Sequence, residues 1–327
     1  MATSVSPARL DQAILATVAY ADIFDFPLDR LEIHRDLIGV ATTADATFAA
    51  LDGLVARGQL VEAAGLLTLP GREAILAVRR ERRARAVALW PVARRYGLSI
   101  ARLPFVRLVA VSGSLAANNP DPRADLDYLI VTAPGRLWLV RAMTILIVRA
   151  ARLRGIQVCP NYLLTTRALV LARHELYTAH ELLQIVPIAG DDTYRRMLSD
   201  NGWAADWLPN RFRQASAAPA LPPTATALGR VGEATLGGAL GDRLEAWEGR
   251  RKQRRFGSGD HSARFTDDVC EGHYGRARQR VLVEFARRCA LLGIDIPSTN
   301  FPATGEVRES APAATFNEQA SLAAGDK

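Results

Sequence analysis

VRLVAVSGSLAANNPDPRADLDYLIVT, residues 106–132, is the stretch on which the reading of the whole chain turns. An apolar run over 106–111 stops at Ser112-Gly113-Ser114. A polar, proline-broken connection follows, and Asp125-Leu126-Asp127 then opens a second apolar run over 128–131. Both runs have the length and branched side chains of buried strands. Side chains at i and i+2 of a strand share a face, so Asp125 and Asp127 converge while Leu126 turns toward the core. Like charges held that close repel unless a cation lies between them, and a set of oxygen ligands suits Mg²⁺ (or Mn²⁺). Gly113 lets backbone approach a ligand, and a short helix starting at Ser114 aims amide groups and a hydroxyl at a phosphate.

An apolar strand, Gly-Ser, ten intervening residues and then Asp-Leu-Asp with apolar residues behind it resembles the signature of the nucleotidyltransferase fold, the DNA polymerase β superfamily. The resemblance covers this core and the strand and helices after it. It implies that Gly113 and Ser114 hold the phosphates of a nucleoside triphosphate and that Asp125 and Asp127 are catalytic metal ligands. It further implies transfer of a nucleotidyl group to an acceptor hydroxyl with release of pyrophosphate. Active members bring a third carboxylate from the neighbouring strand to complete a two-metal site. Here the chain departs from the pattern, because no acidic residue lies between Asp127 and Glu175.

Three readings stay open at the sequence level. Asn161 takes the third position as a neutral oxygen ligand, Glu175 or Glu181 folds back over the site, or the nucleotide is bound without turnover. A neutral ligand weakens the metal, since carboxylate charge offsets the cost of stripping water from Mg²⁺. The alternative to an enzyme is a catalytically impaired, nucleotide-sensing or DNA/RNA-binding regulator. The acceptor itself, whether a small molecule, an RNA or a protein, is not written in the sequence.

Composition sets outer limits. A length of 327 residues provides for two or three domains, and 49% hydrophobic with 23% charged residues is ordinary for a globular protein. A net charge of +7 favours a phosphate-bearing or polyanionic partner. Three widely spaced cysteines, Cys159, Cys270 and Cys289, argue against a disulfide framework and for a reducing, cytoplasmic location. The opening MATSVSPARLDQA lacks a signal-peptide pattern, and the most apolar later stretch, 137–148, is short and carries Arg141, so no membrane anchor is expected.

Ahead of the central stretch, the spacing predicts helices over 10–22, 28–38 and 44–57, the last capped by Thr42 or Thr43, then a hairpin in LVEAAGLLTLPG. Three short helices and a hairpin give the order of a winged helix, whose third helix commonly enters DNA. Here that helix carries Asp45, Asp52 and Arg57, a poor basic reading face. Residues 72–96 read as a long helix bent at Pro91, bearing Arg79, Arg80, Arg82, Arg83, Arg85, Arg94 and Arg95. It serves as a solvated connector or as a basic ridge for nucleic acid.

Beyond the centre, 136–154 reads as a crossover helix whose early arginine is a candidate for the triphosphate. The next strand is QVCPNYLLT, residues 157–165, in which Cys159 reads as a small buried side chain. Residues 161–190 also resemble a subgroup of nucleotidyltransferase-domain proteins with a winged-helix-like N-terminus. His174 and His180, six apart, do not form an i, i+4 zinc pair, and His261, Cys270 and His273 lack ligand spacing. Alanine and proline over 214–227 mark a linker, 240–256 is a helix ending in RRKQRR, and a helix broken near Gly272–Gly275 follows Asp267-Asp268 as far as 292.

The expected fold is therefore α+β. It comprises a winged-helix-like domain (1–70), a basic connecting helix (71–103), a nucleotidyltransferase core with a mixed sheet (104–213), a linker (214–228), a helical C-terminal region (229–297) and a disordered tail (298–327).

Overall fold

Burial is nearly continuous along the two apolar runs of 106–132, so they occupy the middle of a sheet with both faces covered. The computed structural model describes residues 6–224, 226–256, 264–271 and 274–294, and the tail and the His261 and His273 positions lie outside them. The architecture is mixed α+β.

The N-terminal unit holds α1 (Pro7–Asp22), α2 (Arg30–Arg35), α3 (Ala44–Ala56) and an antiparallel hairpin, β1 (Val61–Ala63) with β2 (Leu66–Thr68), in the winged-helix order. Thr43 caps α3 as expected, its side chain accepting from the Ala46 amide. The second helix is shorter than 28–38: Asp29 and Glu32 form a reciprocal capping box that starts it, and Leu28 instead makes a backbone bridge with Leu67. Helix α4 (Ile75–Ala101) then runs unbroken through Pro91.

The second sheet is built from β3 (Val106–Val111), β4 (Leu126–Thr132), β5 (Val158–Thr165), β6 (Val186–Ala189), β7 (Arg264–Phe265) and β8 (Val269–Glu271), in the order β6-β3-β4-β5-β8-β7. Only β4 and β5 run parallel, joined by the crossover helix α6 (Leu137–Arg152), and the short α5 (Gly113–Ala116) follows β3. Val109, Val111, Tyr128, Ile130 and Leu163 bury against the α4–α6 side. Leu108, Ala110, Leu129, Val131 and Leu164 bury with α7 (Leu176–Gln184) and α8 (Asp191–Asp200). Two short helices, α9 (Ala204–Trp207) and α10 (Pro209–Ser216), lead out of this layer.

Sequence reading placed a helix after Asp267-Asp268, but residues 264–271 pair as a hairpin that widens the sheet beside β5. Thr266 accepts from the Asp268 and Val269 amides and closes the turn. The remaining helices, α11 (Ala227–Leu236), α12 (Ala239–Phe256) and α13 (Tyr274–Leu291), pack back on what precedes them. Glu245 of α12 accepts from the amides of Trp138 (3.0 Å) and Leu139 (2.7 Å), satisfying the otherwise open N-terminus of α6. Gly249 permits that contact, since a Cβ there would lie 2.9 Å from the Trp138 ring. The stretch 217–224 is irregular, as its composition implies, yet it lies along the core: Gly190 donates to Pro222 and Leu221 donates to Asp191. No helix among the described residues is long and apolar enough to cross a membrane.

Buried ion pairs fasten the layers. Asp36, 6% exposed, accepts from Arg211 at 2.6 Å and from Arg35 at 2.7 Å. Burial alone would raise its pKa, but the two guanidinium groups outweigh that and hold the carboxyl well below the usual range. Its contribution is therefore complete above about pH 4 and is lost as pH falls toward the folded-state pKa. Asp36→Asn should cost about 3–5 kcal/mol at neutral pH, because it leaves two arginines uncompensated; urea denaturation measures it.

His180 stacks on Tyr20 with centroids 4.1 Å apart, and burial pushes its pKa down to about 3, Arg211 and Arg35 adding to the effect while Asp36 opposes it. The unfolded chain takes up this proton near pH 6.5 and the folded chain does not, so stability should fall as pH drops from about 6.5 toward 3. His180→Phe, which retains the stack, should flatten the fall between about pH 6.5 and 4.5 in denaturation midpoints. A smaller slope should remain from His34, whose pKa is also lowered by burial and by Arg213.

Candidate functional site

Three elements meet at the head of β4. The Ser112 amide donates to the Asp127 carbonyl at 2.9 Å, continuing the β3–β4 register so that Ser112 faces Asp127. Gly113 then turns the chain with φ +65°, and the Asp127 carboxylate lies where its side chain would be: a Cβ on Gly113 would sit 2.3 Å from Asp127 Oδ2. The Gly-Ser turn and the acid pair are thus packed atom against atom, as the sequence led one to expect. Gln184 donates to the Gly113 carbonyl at 3.2 Å and ties the end of α7 to the same turn.

The neighbouring strand supplies a residue that sequence reasoning left out of the site. In the parallel β4–β5 register Asp127 stands opposite Cys159, and the register slips between Cys159 and Tyr162, so that Pro160 and Asn161 occupy an irregularity. Cys159, not Asn161, one of the three candidates for the third position, is the residue that the register sets against Asp127. Ligand atoms of Asp125, Asp127 and Cys159 all lie within 4.8 Å of one another, the one such group of metal-binding side chains among the described residues. All three are partly exposed. From sequence Cys159 reads as a small buried side chain; the structure adds that it stands partly exposed beside both acids.

Electrostatics mark the same point. Burial raises the Asp125 pKa, and burial together with the neighbouring Asp125 raises that of Asp127 well above the usual carboxylate range. Burial, followed by the two neighbouring acids, pushes the Cys159 thiol pKa up. Two acids and a thiol in one place favour either retained protons or a divalent cation. The donor set fits a metal.

The two acids considered for folding back behave differently. Glu175 pairs with Arg278 at 2.6 Å. Glu181 raises the Asp127 pKa through its charge and lines a cavity of about 80 Å³ with Ser112, Leu129, Tyr162 and Tyr177. The Ser112 hydroxyl, in a residue 4% exposed, has no hydrogen-bond partner. Ser114 is partly exposed at the start of α5. Arg136, a candidate for the triphosphate, turns instead to α12, pairing with Asp242 at 2.8 Å and donating to the Gly237 carbonyl.

The basic helix has a structural task here. Arg82 donates to Asn119, Arg85 to the Pro120 carbonyl, and Trp90 to Asn118 at 2.8 Å, so α4 grips the connection that delivers Asp125. Arg79 is buried, paired with Glu32 at 2.6 Å and lying 3.7 Å over the Phe26 ring. Arg80, Arg83, Arg94 and Arg95 remain exposed. The outer side of α3 carries Asp45 and Asp52, the latter paired with Arg30.

No family model, curated protein or solved structure matches the chain. The functional reading therefore stands on the geometry of its own residues. Gly113→Ala should destabilise the protein by about 1–3 kcal/mol, since it combines a left-handed backbone with a clash on Asp127. Denaturant unfolding measures this, and a variant as stable as the wild type would refute the close packing of turn and acid.

Proposed function

We propose that the protein binds a nucleoside triphosphate together with a divalent metal and transfers the nucleotidyl group to an acceptor hydroxyl, releasing pyrophosphate. The observation that carries this reading is the packing of the Asp127 carboxylate against the Gly113 turn, which puts a cation-seeking acid pair beside backbone suited to phosphate oxygens. Asp125 and Asp127 would hold the metal, Mg²⁺ or Mn²⁺ in the simplest form of the site. When bound, such an ion supplies charge neutralisation for the phosphates and lowers the pKa of an attacking hydroxyl. Gly113 and Ser114 would receive phosphate oxygens, and α4, through its hold on residues 118–120, fixes where Asp125 enters. The chain's own contribution is chiefly positioning, which is what phosphoryl chemistry asks of a protein.

A second reading is a nucleotide-binding regulator without turnover, favoured by Cys159 standing where a third carboxylate would complete a two-metal site. Its winged-helix-like unit and the exposed arginines of α4 would then contact nucleic acid in a salt-sensitive manner.

Metal-dependent binding and turnover of labelled nucleoside triphosphate should each fall on the order of 100-fold in Asp125→Asn and in Asp127→Asn. Equilibrium dialysis and thin-layer separation of the products read the two quantities. Binding without products, also lost in both variants, selects the regulator. Nucleotide binding indifferent to metal and to both substitutions would overturn the site altogether.

A further inference from the structure

We propose that Asp125, Asp127 and Cys159 form a mixed carboxylate–thiolate site that selects a borderline-soft divalent ion of the Zn²⁺ class over Mg²⁺. This deepens the identity of the metal in the proposed function and rests on its aspartate pair, though not on a nucleotide.

Geometry permits it. Metal–oxygen and metal–sulfur bonds of about 2.0–2.3 Å in a tetrahedron place ligand atoms about 3.5 Å apart. The three ligand atoms already lie within 4.8 Å of one another, so side-chain rotation alone brings them to a common centre. Without a metal, the Cys159 sulfur carries its proton beside both carboxylates. On metal binding the S–H bond breaks, the proton passes to solvent and sulfur donates its pair to the ion. The anionic charge of the three ligands then faces a double positive charge.

A second, independent observation comes from β3. Ser112 faces Asp127 across the β3–β4 register, is 4% exposed, and its hydroxyl has no partner. It also lines the cavity next to Leu129, two residues along the same face of β4. Three protein ligands leave a fourth position of a tetrahedral ion for water or substrate oxygen, as in catalytic zinc sites. An oxygen ligand held there would give the Ser112 hydroxyl the partner it lacks.

Selectivity follows from ligand chemistry. Mg²⁺ requires oxygen donors in near-ideal octahedral geometry and keeps several waters, whereas thiolate favours softer ions. Among divalent first-row ions the order of affinity also places Zn²⁺ and Co²⁺ above Mn²⁺.

The test uses tag-free, full-length protein, stripped with a chelator and titrated with Co²⁺ under absorption spectroscopy. One equivalent should develop a thiolate-to-cobalt charge-transfer band in the near ultraviolet, erased by equimolar Zn²⁺ and unaffected by a large excess of Mg²⁺. Cys159→Ser should lack the band and Cys289→Ala should keep it. Zn²⁺ affinity in Cys159→Ser should fall by more than the roughly 10–100-fold that loss of an outer hydrogen-bond partner costs a metal site. A wild-type protein with no such band, a band that survives Cys159→Ser, or displacement of Co²⁺ by Mg²⁺ would overturn the inference, and the wild-type result does not depend on how any variant folds. Mg²⁺-dependent nucleotide binding without a cobalt–sulfur band would sink this inference alone. The band without nucleotide binding would sink only the nucleotide reading.

Discussion

Negative charge gathered at the head of β4 is the constraint to which the centre of this molecule is built. Asp125, just ahead of β4, and Asp127, within it, bring their ligand atoms within 4.8 Å of one another, and burial makes each carboxylate reluctant to ionise. Such an arrangement costs free energy, so it persists because the backbone around it is over-determined. The Ser112 amide closes on the Asp127 carbonyl, the Leu126 amide donates to Gln157 at 2.9 Å, and the apolar run behind Asp127 is fully buried in the sheet. Positions that break ordinary rules of charge placement while every neighbouring hydrogen bond obeys them are where function is expected.

Elsewhere the same physics is used in the opposite sense, and several buried charges are matched across elements. Asp22, 5% exposed in its side chain, accepts from Arg72 at 2.7 Å and from Arg288 at 3.0 Å, joining α1 to the start of α4 and to α13. Arg79 meets Glu32, and Arg211 meets Asp36. Each pair crosses from one element to another distant in sequence. Ion pairs of this kind add little net stability over apolar packing but punish any arrangement that separates them. The contrast with the unmatched acids at the head of β4 is what singles that site out.

Much of this was legible in the sequence, and for definite reasons. Continuous apolar runs placed β3, β4 and β5, and a mostly apolar helical face placed α6, because these are local patterns. The convergence of Asp125 with Asp127 followed from strand geometry, and the proximity of Gly113 from its place directly after the first of two neighbouring apolar runs. The role of Cys159 was not legible, since it depends on a parallel register and on the irregularity at Pro160 and Asn161. A search confined to carboxylates also passes over a thiol, although Cys159 and Asn161 share the same two-residue spacing that identified the aspartates. The β7–β8 hairpin was missed because strands of two and three residues carry too little pattern, and their pairing with β5 is decided by tertiary contact. Arg136 was misplaced for a similar reason: its partner, Asp242, is fixed only when α12 folds back.

One small feature of the N-terminal unit reaches further than its size implies. The Phe24 carbonyl accepts from both Arg82 and the Asn119 side chain, at 2.9 and 3.0 Å, in the same corner where Asp25 holds Arg72. A single oxygen thus joins the end of α1, the basic helix and the loop that carries the chain into Asp125. Losing that acceptor would strand two donors from different elements at once, so the contact holds the N-terminal unit, the basic helix and the loop into Asp125 in one arrangement.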